Sequence, residues 1–207
     1  MGKLLSNFRS TVLLSLVLAG VMIYAFGSVA PGGFDLIFWQ AVFRWTHVFA
    51  GILWIGLLWY FNFVQIRVMP AIPAELKPAV GKHIAPEALF WFRWSALGTV
   101  LAGLILASLR GHAYAVETLS LGLVGGYGEG DGGFTLLGVG VWLAIVMFIN
   151  VWGFIWPNQK IALGIKEGYD ADAKAKAAKT AMLFSRTNLL LSLPMLTSMT
   201  MYQTLFG

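Results

Sequence analysis

The sequence contains no cysteine and few charged residues. Its 207 residues include no Cys, so disulfide bonds, thiolate catalysis and Cys-ligated metal sites are excluded. Only 11% of the residues are Asp, Glu, Lys or Arg, whereas soluble domains carry about a quarter. Because 58% of the residues are hydrophobic, the chain has more apolar surface than a soluble core of this size can bury. We therefore predict that a lipid bilayer surrounds it.

Several enzyme and transporter motifs are also absent. The sequence has no Walker motif and no His-x-Glu deaminase motif. The glycine-rich stretch 122–133 lacks the Lys-Ser/Thr ending of a phosphate loop, so we predict a flexible connection there. Asp and Glu are essentially confined to predicted loops, and no internal repeat is evident. These absences disfavour a proton pump and a repeat-built transporter.

Long apolar runs predict an all-α integral membrane protein, a single membrane domain (1–207) with a bundle of about five transmembrane helices. Each run can cross a hydrocarbon core of about 30 Å at about 1.5 Å per residue. A short soluble helix is predicted at about 169–180, where Asp170–Lys174 and Asp172–Lys176 form i,i+4 pairs. The predicted spans are about 11–30, 38–64, 90–109, 134–156 and 181–206.

The first apolar run has an alternative interpretation as a cleaved signal peptide. Lys3 and Arg9 resemble a basic n-region, and Ser-Val-Ala at 28–30 resembles a cleavage site. The run is long for such a peptide, and Pro31 directly follows the cleavage position. A retained helix is therefore the favoured prediction.

Basic and non-basic loops alternate along the chain. Lys and Arg are frequent at the N-terminus, before the third span and after the fourth, whereas 31–37 and 110–133 contain only Arg110. The positive-inside rule therefore predicts a cytoplasmic N-terminus and a periplasmic C-terminus, in a multi-pass protein of a bacterial inner membrane. The net charge of +5 is interpreted as an orientation signal, and a nucleic-acid surface is not expected.

The most distinctive polar residue of the predicted spans is His47. Arg44 lies about one turn before it and Gly51 one turn after it, so the three share a helix face. An imidazole beside a glycine suits ligation of haem iron or another metal, with Arg44 neutralising a propionate or an anionic substrate. The alternatives are a His47 hydrogen-bonded to a neighbouring helix and an Arg44 that extends to the headgroups with Asp35 as partner. The remaining histidines, His83 and His112, lie outside the spans.

A second polar set is predicted at similar depth near the cytoplasmic ends of the helices. It either lines a pocket for an anion or consists of interhelical hydrogen bonds and interface anchors. Its members are Asn62, Gln65, Arg93, Asn150, Asn158, Gln159, Lys160, Arg186 and Asn188.

Four stretches resemble the membrane domain of bacterial cytochrome-linked urate hydroxylases. Residues 44–56 match the family pattern Arg-Trp-x-His-x-x-Ala-Gly-x-x-Trp-Ile-Gly. Residues 86–94 resemble the family pattern Pro-Glu-x-Leu-x-Trp-Phe-Lys-Trp, except that Arg93 stands where the family has lysine. Asn150 with 155–160 resembles an Asn…Pro-Asn-Gln-Lys segment. Residues 185–188 with 193–194 resemble Arg-His-Asn…Leu-Pro, with Thr187 at the histidine. The matches keep their order and spacing over most of the chain.

The resemblance implies an oxidoreductase membrane domain that passes electrons toward a c-type cytochrome. The fused cytochrome module of that family has a Cys-x-x-Cys-His motif, which this sequence lacks. The expected partner is therefore a separate c-type cytochrome on the periplasmic face, and haem is the candidate cofactor.

Two further hypotheses remain beside this redox-associated function. One is a non-catalytic accessory subunit of a larger respiratory or photosynthetic membrane complex. A homo-oligomer is the alternative to such a complex as the partner of this chain. The pairs Gly98–Ala102 and Gly103–Ala107 permit close helix packing in either case. A small transporter is a third hypothesis that depends on the second polar set alone.

Overall fold

A computed structural model, which describes residues 2–124 and 132–206, shows a helical chain. A single helical turn, Gly2–Leu5, precedes the longer helices. Most of the predicted flexible connection at 122–133 lies outside the described residues. The longer helices are α1 (Phe8–Val29), α2 (Leu36–Ala71), α3 (Lys77–Leu109), α4 (His112–Leu119), α5 (Gly132–Ala162) and α6 (Ala171–Leu205).

Side-chain caps define the starts of three helices. The Asn7 side chain accepts a hydrogen bond from the backbone N–H of Ser10 at the start of α1. Asp35 and Asp170 accept equivalent bonds at the starts of α2 and α6, with N···O distances of 3.0 and 2.7 Å. Each cap satisfies a backbone donor that has no partner within its helix.

Within the described residues, α1, α2, α3 and α5 are long and apolar enough to cross a membrane. The chain is therefore an all-α protein of the multi-pass membrane class, as the sequence predicted. The residues predicted as a soluble helix (169–180) and a fifth span (181–206) belong largely to one continuous helix, α6. Helix α6 does not reach the same apolar content as the other four.

Helices α2, α3, α5 and α6 form a bundle in which successive helices pack side by side. Helices α2 and α3 are antiparallel, because Gln40 lies beside Leu109 at one end and Phe61 contacts Phe92 near the other. The bundle core is apolar and draws on all four helices. Its buried members are Trp54, Ile55, Leu58, Phe61, Leu89, Phe92, Ala96, Met147, Val151, Ile155 and Met195.

Helix α1 stands largely outside this bundle. Most of its side chains are exposed, and Gly27 near its C-terminus is its single buried residue. Gly27 is covered by the rings of Phe34 and Phe38, so α1 contacts the rest of the chain through this end. An apolar helix with so little protein contact is suited to a lipid environment.

Three wide π-helical turns interrupt the long helices, at Tyr60–Gln65, Val80–Ile84 and Asn150–Ile155. Pro86 and Pro157 follow two of these turns, and a proline cannot donate to the carbonyl one turn before it. In the first turn, the Asn62 amide donates to the Leu58 oxygen at 2.9 Å and competes with the backbone. Such turns are frequent at functional sites.

Helix α4 lies at the end of the bundle opposite the Ile66–Ile84 segment. Its buried residue Tyr114 joins it to α6. Arg110 donates to the Tyr114 hydroxyl at 2.7 Å, and Tyr114 donates to the Tyr202 hydroxyl of α6 at 3.0 Å. The Phe134 ring contacts Tyr114 edge-on. Burial and the bond to Tyr202 raise the pKa of Tyr114 to about 12, although Arg110 opposes the shift.

This pKa predicts a loss of stability at high pH. Tyrosine in an unfolded chain titrates near about pH 10, so the contribution of Tyr114 is complete below that pH and is lost as pH rises through about 12. We expect the melting temperature of Tyr114→Phe to fall less than that of the wild type between pH 10 and 12. Tyr24→Phe, at an exposed position, is the control. An equal fall in all three proteins would contradict the assignment.

Candidate functional site

His47 lies on the face of α2 that packs against α3. Its Nδ1 atom is 2.8 Å from the backbone oxygen of Thr99. Because a carbonyl oxygen only accepts, Nδ1 of the neutral ring carries the proton and donates it, and Nε2 keeps its lone pair. Metal-ligating histidines are commonly held in this way through their other nitrogen. His47 therefore has the donor chemistry of a residue that would hold haem iron.

Two glycines shape the surroundings of this imidazole. A Cβ atom on Gly103 would lie 2.9 Å from His47 Nδ1, so the glycine makes room for the ring. A Cβ atom on Gly51 would lie 3.7 Å from the Thr99 methyl carbon. Helix α3 thus occupies the space beside Gly51, the glycine that the sequence analysis placed beside a haem or metal ligand. The fit to haem rests on His47, whereas Gly51 is a helix-packing residue.

Arg44 is half-buried on α2, one turn before His47. No ion pair joins it to a carboxylate within residues 2–124 and 132–206. Asp35, the alternative partner predicted from the sequence, caps the first turn of α2 through Phe38. Within the described residues no carboxylate compensates the Arg44 charge, so it is available to an anionic group.

His83 lies far from His47 along the bundle. Both His83 and His112 are exposed. His47 is level with Gly103 on α3, and His83 precedes Gly103 by twenty residues, which corresponds to about 30 Å of helix. The described residues show no contact between His47 and either His83 or His112. They also contain no group of three or more metal-ligating side chains.

The second polar set is built around two buried asparagines. Asn150 donates from Nδ2 to Oδ1 of Asn188 at 2.8 Å, and Asn188 donates to the Met147 oxygen at 2.9 Å. Asn62 donates to the Ser185 hydroxyl of α6 at 2.9 Å. These bonds join α5 to α6 and α2 to α6 within the apolar core. They are the interhelical hydrogen bonds that the sequence analysis gave as the alternative to a pocket for an anion.

A separate group forms where α3 meets α5. The guanidinium carbon of Arg93 lies 3.4 Å from the centroid of the Trp156 ring, and Lys160 Nζ lies 5.6 Å from the same centroid. Asn158 donates to the Phe154 oxygen of its own helix at 2.8 Å. Gln159 is half-buried beside it.

Arg186 lies apart from both groups. Its side chain is exposed on α6, as is that of Thr187. Residues 186 and 188 differ by about 200° around a helix, so the burial of Asn188 directs Arg186 away from the core.

Sequence reasoning missed several polar residues of this end. Trp59 donates to the Ser192 hydroxyl at 3.2 Å, and Ser185 and Ser192 are buried beside the asparagines. The spacing of three to four residues among 185, 188 and 192 was the signal for a polar helix face. Several enclosed polar atoms in the described chain have no hydrogen-bond partner, on Trp54, Asn62, Gln65, Arg93 and Trp152.

Two open grooves lie on the outer surface of the bundle. The first has a volume of about 380 Å³ and is lined by Leu57, Tyr60, His83, Ile84, Glu87, Ala88 and Trp91. The second, of about 280 Å³, is lined by Phe49, Ile52, Leu53, Gly56 and Leu57. Neither of these two grooves is lined by Arg44 or His47.

The fold and these sites define an all-α multi-pass membrane protein with buried polar contacts between its helices. A comparison with protein-family models, curated proteins and solved structures gives no match.

Proposed function

We propose that this chain is a redox-associated protein of the bacterial inner membrane, of the urate-hydroxylase membrane-domain type, in which His47 ligates a haem iron. The observation that carries the proposal is the hydrogen bond from His47 Nδ1 to the Thr99 oxygen, at 2.8 Å. It fixes the tautomer whose Nε2 is free to bind a metal.

Five membrane spans are part of this proposal, with α6 as the fifth. Contacts between α5 and α6 extend from Leu136–Ser198 to Phe154–Phe184. Positions 136 and 154 are eighteen residues apart, which corresponds to about 27 Å of helix, close to the thickness of a hydrocarbon core. Helix α6 would therefore share the depth of α5.

The polarity of α6 also favours a lipid-facing outer surface. Its polar residues Ser185, Asn188 and Ser192 are buried in the bundle, whereas Leu190 and Leu193 are 73% and 61% exposed. This is the reverse of a soluble amphipathic helix and is typical of a helix between protein and lipid. With the basic loops inside, the N-terminus would be cytoplasmic and the C-terminus periplasmic.

Each residue of the outer site would have a separate task. When bound, haem supplies one-electron redox chemistry. His47 would hold the iron, and the Thr99 carbonyl would orient the ring and increase its basicity. Arg44 would balance the charge of an anionic propionate. By the proposed topology this site lies in the outer half of α2, toward a periplasmic c-type cytochrome.

Variants of the imidazole and its support test this function. We expect His47→Ala to abolish haem binding. Gly103→Ala should weaken it about tenfold, because the new Cβ would push the ring away from Thr99. The readout is haem bound per chain after purification from the native membrane.

Two matched controls accompany these variants. His83→Ala removes an exposed histidine. Gly98→Ala adds a methyl group to the same helix, at 3.5 Å from Ala50 Cβ. Both should retain the haem content of the wild type. Full haem content in His47→Ala would refute the ligand assignment.

An accessory subunit of a larger respiratory or photosynthetic complex is the second candidate function. The observation that favours it is the isolation of α1, whose single buried residue is Gly27. Such a helix has most of its surface available to another membrane chain as well as to lipid. Under this alternative, the chain co-purifies with a large complex, binds no haem and has no turnover alone.

A further inference from the structure

We propose that Arg93, Trp156 and Lys160 form a binding site for a phosphate group at the end of the bundle that carries the Ile66–Ile84 segment. The site is separate from His47 and does not depend on the redox function. The inference begins with Arg93, which is only 8% exposed.

The Arg93 guanidinium lacks a hydrogen-bond partner for one enclosed nitrogen. Its Nη1 atom is buried and unpartnered. A guanidinium has five N–H donors and cannot lose its charge, and burying it without an acceptor is costly. The Trp156 ring, 3.4 Å from the guanidinium carbon, offsets part of this cost through a cation–π contact. The ring offers no hydrogen-bond acceptor along the plane of the N–H groups.

A second cation approaches the same indole. Lys160 follows Trp156 by one helical turn, and its Nζ lies 5.6 Å from the ring centroid. Neither Arg93 nor Lys160 forms an ion pair within the described chain. Glu87 on α3 accepts a hydrogen bond from Trp91 at 3.0 Å instead. Two positive charges therefore meet at one ring, and no carboxylate of the described chain compensates them.

The neighbouring contact between α3 and α5 adds another unpartnered donor. Trp152 lies one turn before Trp156 on α5. Its ring centroid is 5.6 Å from that of Trp94, the residue after Arg93. The Trp152 Nε1 atom is enclosed and has no acceptor. The contact between α3 and α5 thus contains two enclosed N–H groups without an acceptor, on Arg93 and on Trp152.

This combination selects a ligand with negative charge and oxygens that accept hydrogen bonds. Arginine and lysine together are common binders of phosphate oxygens. The position near the end of a membrane helix, among tryptophans, is the depth of lipid headgroups. An anionic phospholipid headgroup and free inorganic phosphate share the chemistry that the site recognises.

The test compares the thermal stability of the full chain in vesicles of different composition. Wild-type protein is reconstituted in phosphatidylcholine alone, in phosphatidylcholine with phosphatidylglycerol, and in phosphatidylcholine with added inorganic phosphate. We expect the melting temperature to rise with phosphatidylglycerol, because a ligand that binds the folded state stabilises it. A rise with inorganic phosphate as well would identify the free anion as a second source.

Variants separate this site from general attraction to anionic surfaces. Arg93→Gln and Lys160→Gln should each weaken the apparent affinity for the phosphate group about tenfold. Lys176→Gln, which removes an exposed charge from α6, should leave that affinity unchanged. Lys160 is only half-buried, so Lys160→Gln still tests the site if Arg93→Gln fails to fold. The proposal would be overturned if neither phosphatidylglycerol nor inorganic phosphate raised the melting temperature. An equal rise of the melting temperature in the wild type and in Lys160→Gln would also overturn it.

Discussion

Replacing Asn188 with alanine is expected to lower the free energy of unfolding by about 2–3 kcal/mol. Asn188 is fully buried and joins α5 to α6 through the Asn150 side chain and the Met147 oxygen. The alanine would leave the Asn150 amide without an acceptor inside an apolar core, and it would also leave a cavity. Reversible denaturation of the detergent-solubilised protein measures the change.

A neighbouring position supplies the control for Asn188. Thr187 is exposed, and its hydroxyl bonds to the Leu183 oxygen of its own helix. Thr187→Ala should therefore change stability by no more than about 0.5 kcal/mol. The double variant Asn150→Ala with Asn188→Ala should cost less than the sum of the single variants, since no orphaned amide remains. Equal stability of Asn188→Ala and Thr187→Ala would show that the bond between the asparagines contributes nothing.

Adding one methyl group at Gly138 is expected to destabilise the protein by about 1–3 kcal/mol. A Cβ atom there would collide with the backbone oxygen of Thr118 in α4 and would lie 2.9 Å from Leu121 Cδ2. Backbone atoms cannot rotate away, and Leu121 already has a positive φ of 61°. Helix α4 would therefore have to move away from α5, although alanine is otherwise favoured over glycine in a helix by about 1 kcal/mol.

Gly56→Ala is the matched control for Gly138→Ala. A Cβ atom on Gly56 would meet no heavy atom within 4 Å. The control should therefore keep or slightly increase the stability of the wild type, through helix propensity alone. Thermal unfolding of both variants in the same detergent gives the comparison. A Gly138→Ala protein as stable as Gly56→Ala would contradict the close contact between α4 and α5.

Hydrophobic runs and charge patterns predicted the class of this protein because lipid imposes long apolar helices. Helix α6 was harder to interpret, since Ser185, Asn188 and Ser192 lower its apolar content while facing the bundle. Mean apolar content averages over both faces of a helix, whereas burial depends on one of them. The status of α6 as a membrane span therefore depends on its packing against α5.

The sites show a similar limit. The depth of Asn150 and Asn188 followed from the predicted spans, but their bond to each other did not, because periodicity gives a helix face without naming the facing residue. The acceptor for His47 is a backbone oxygen of Thr99, which has no side-chain signature in the sequence. The wide turn at Asn150–Ile155 precedes Pro157, whose missing backbone donor hydropathy does not register.

The central claim, that this chain is a haem-binding redox protein, is tested most directly by a reduced-minus-oxidised absorption spectrum. The wild-type chain would be purified gently from its native membrane, with all co-purifying chains identified and haem quantified against this chain. The account predicts haem bands in fixed proportion to the chain, together with a c-type cytochrome that is separable from it. A chain without haem bands that remains bound to a larger complex would contradict the claim and favour an accessory subunit.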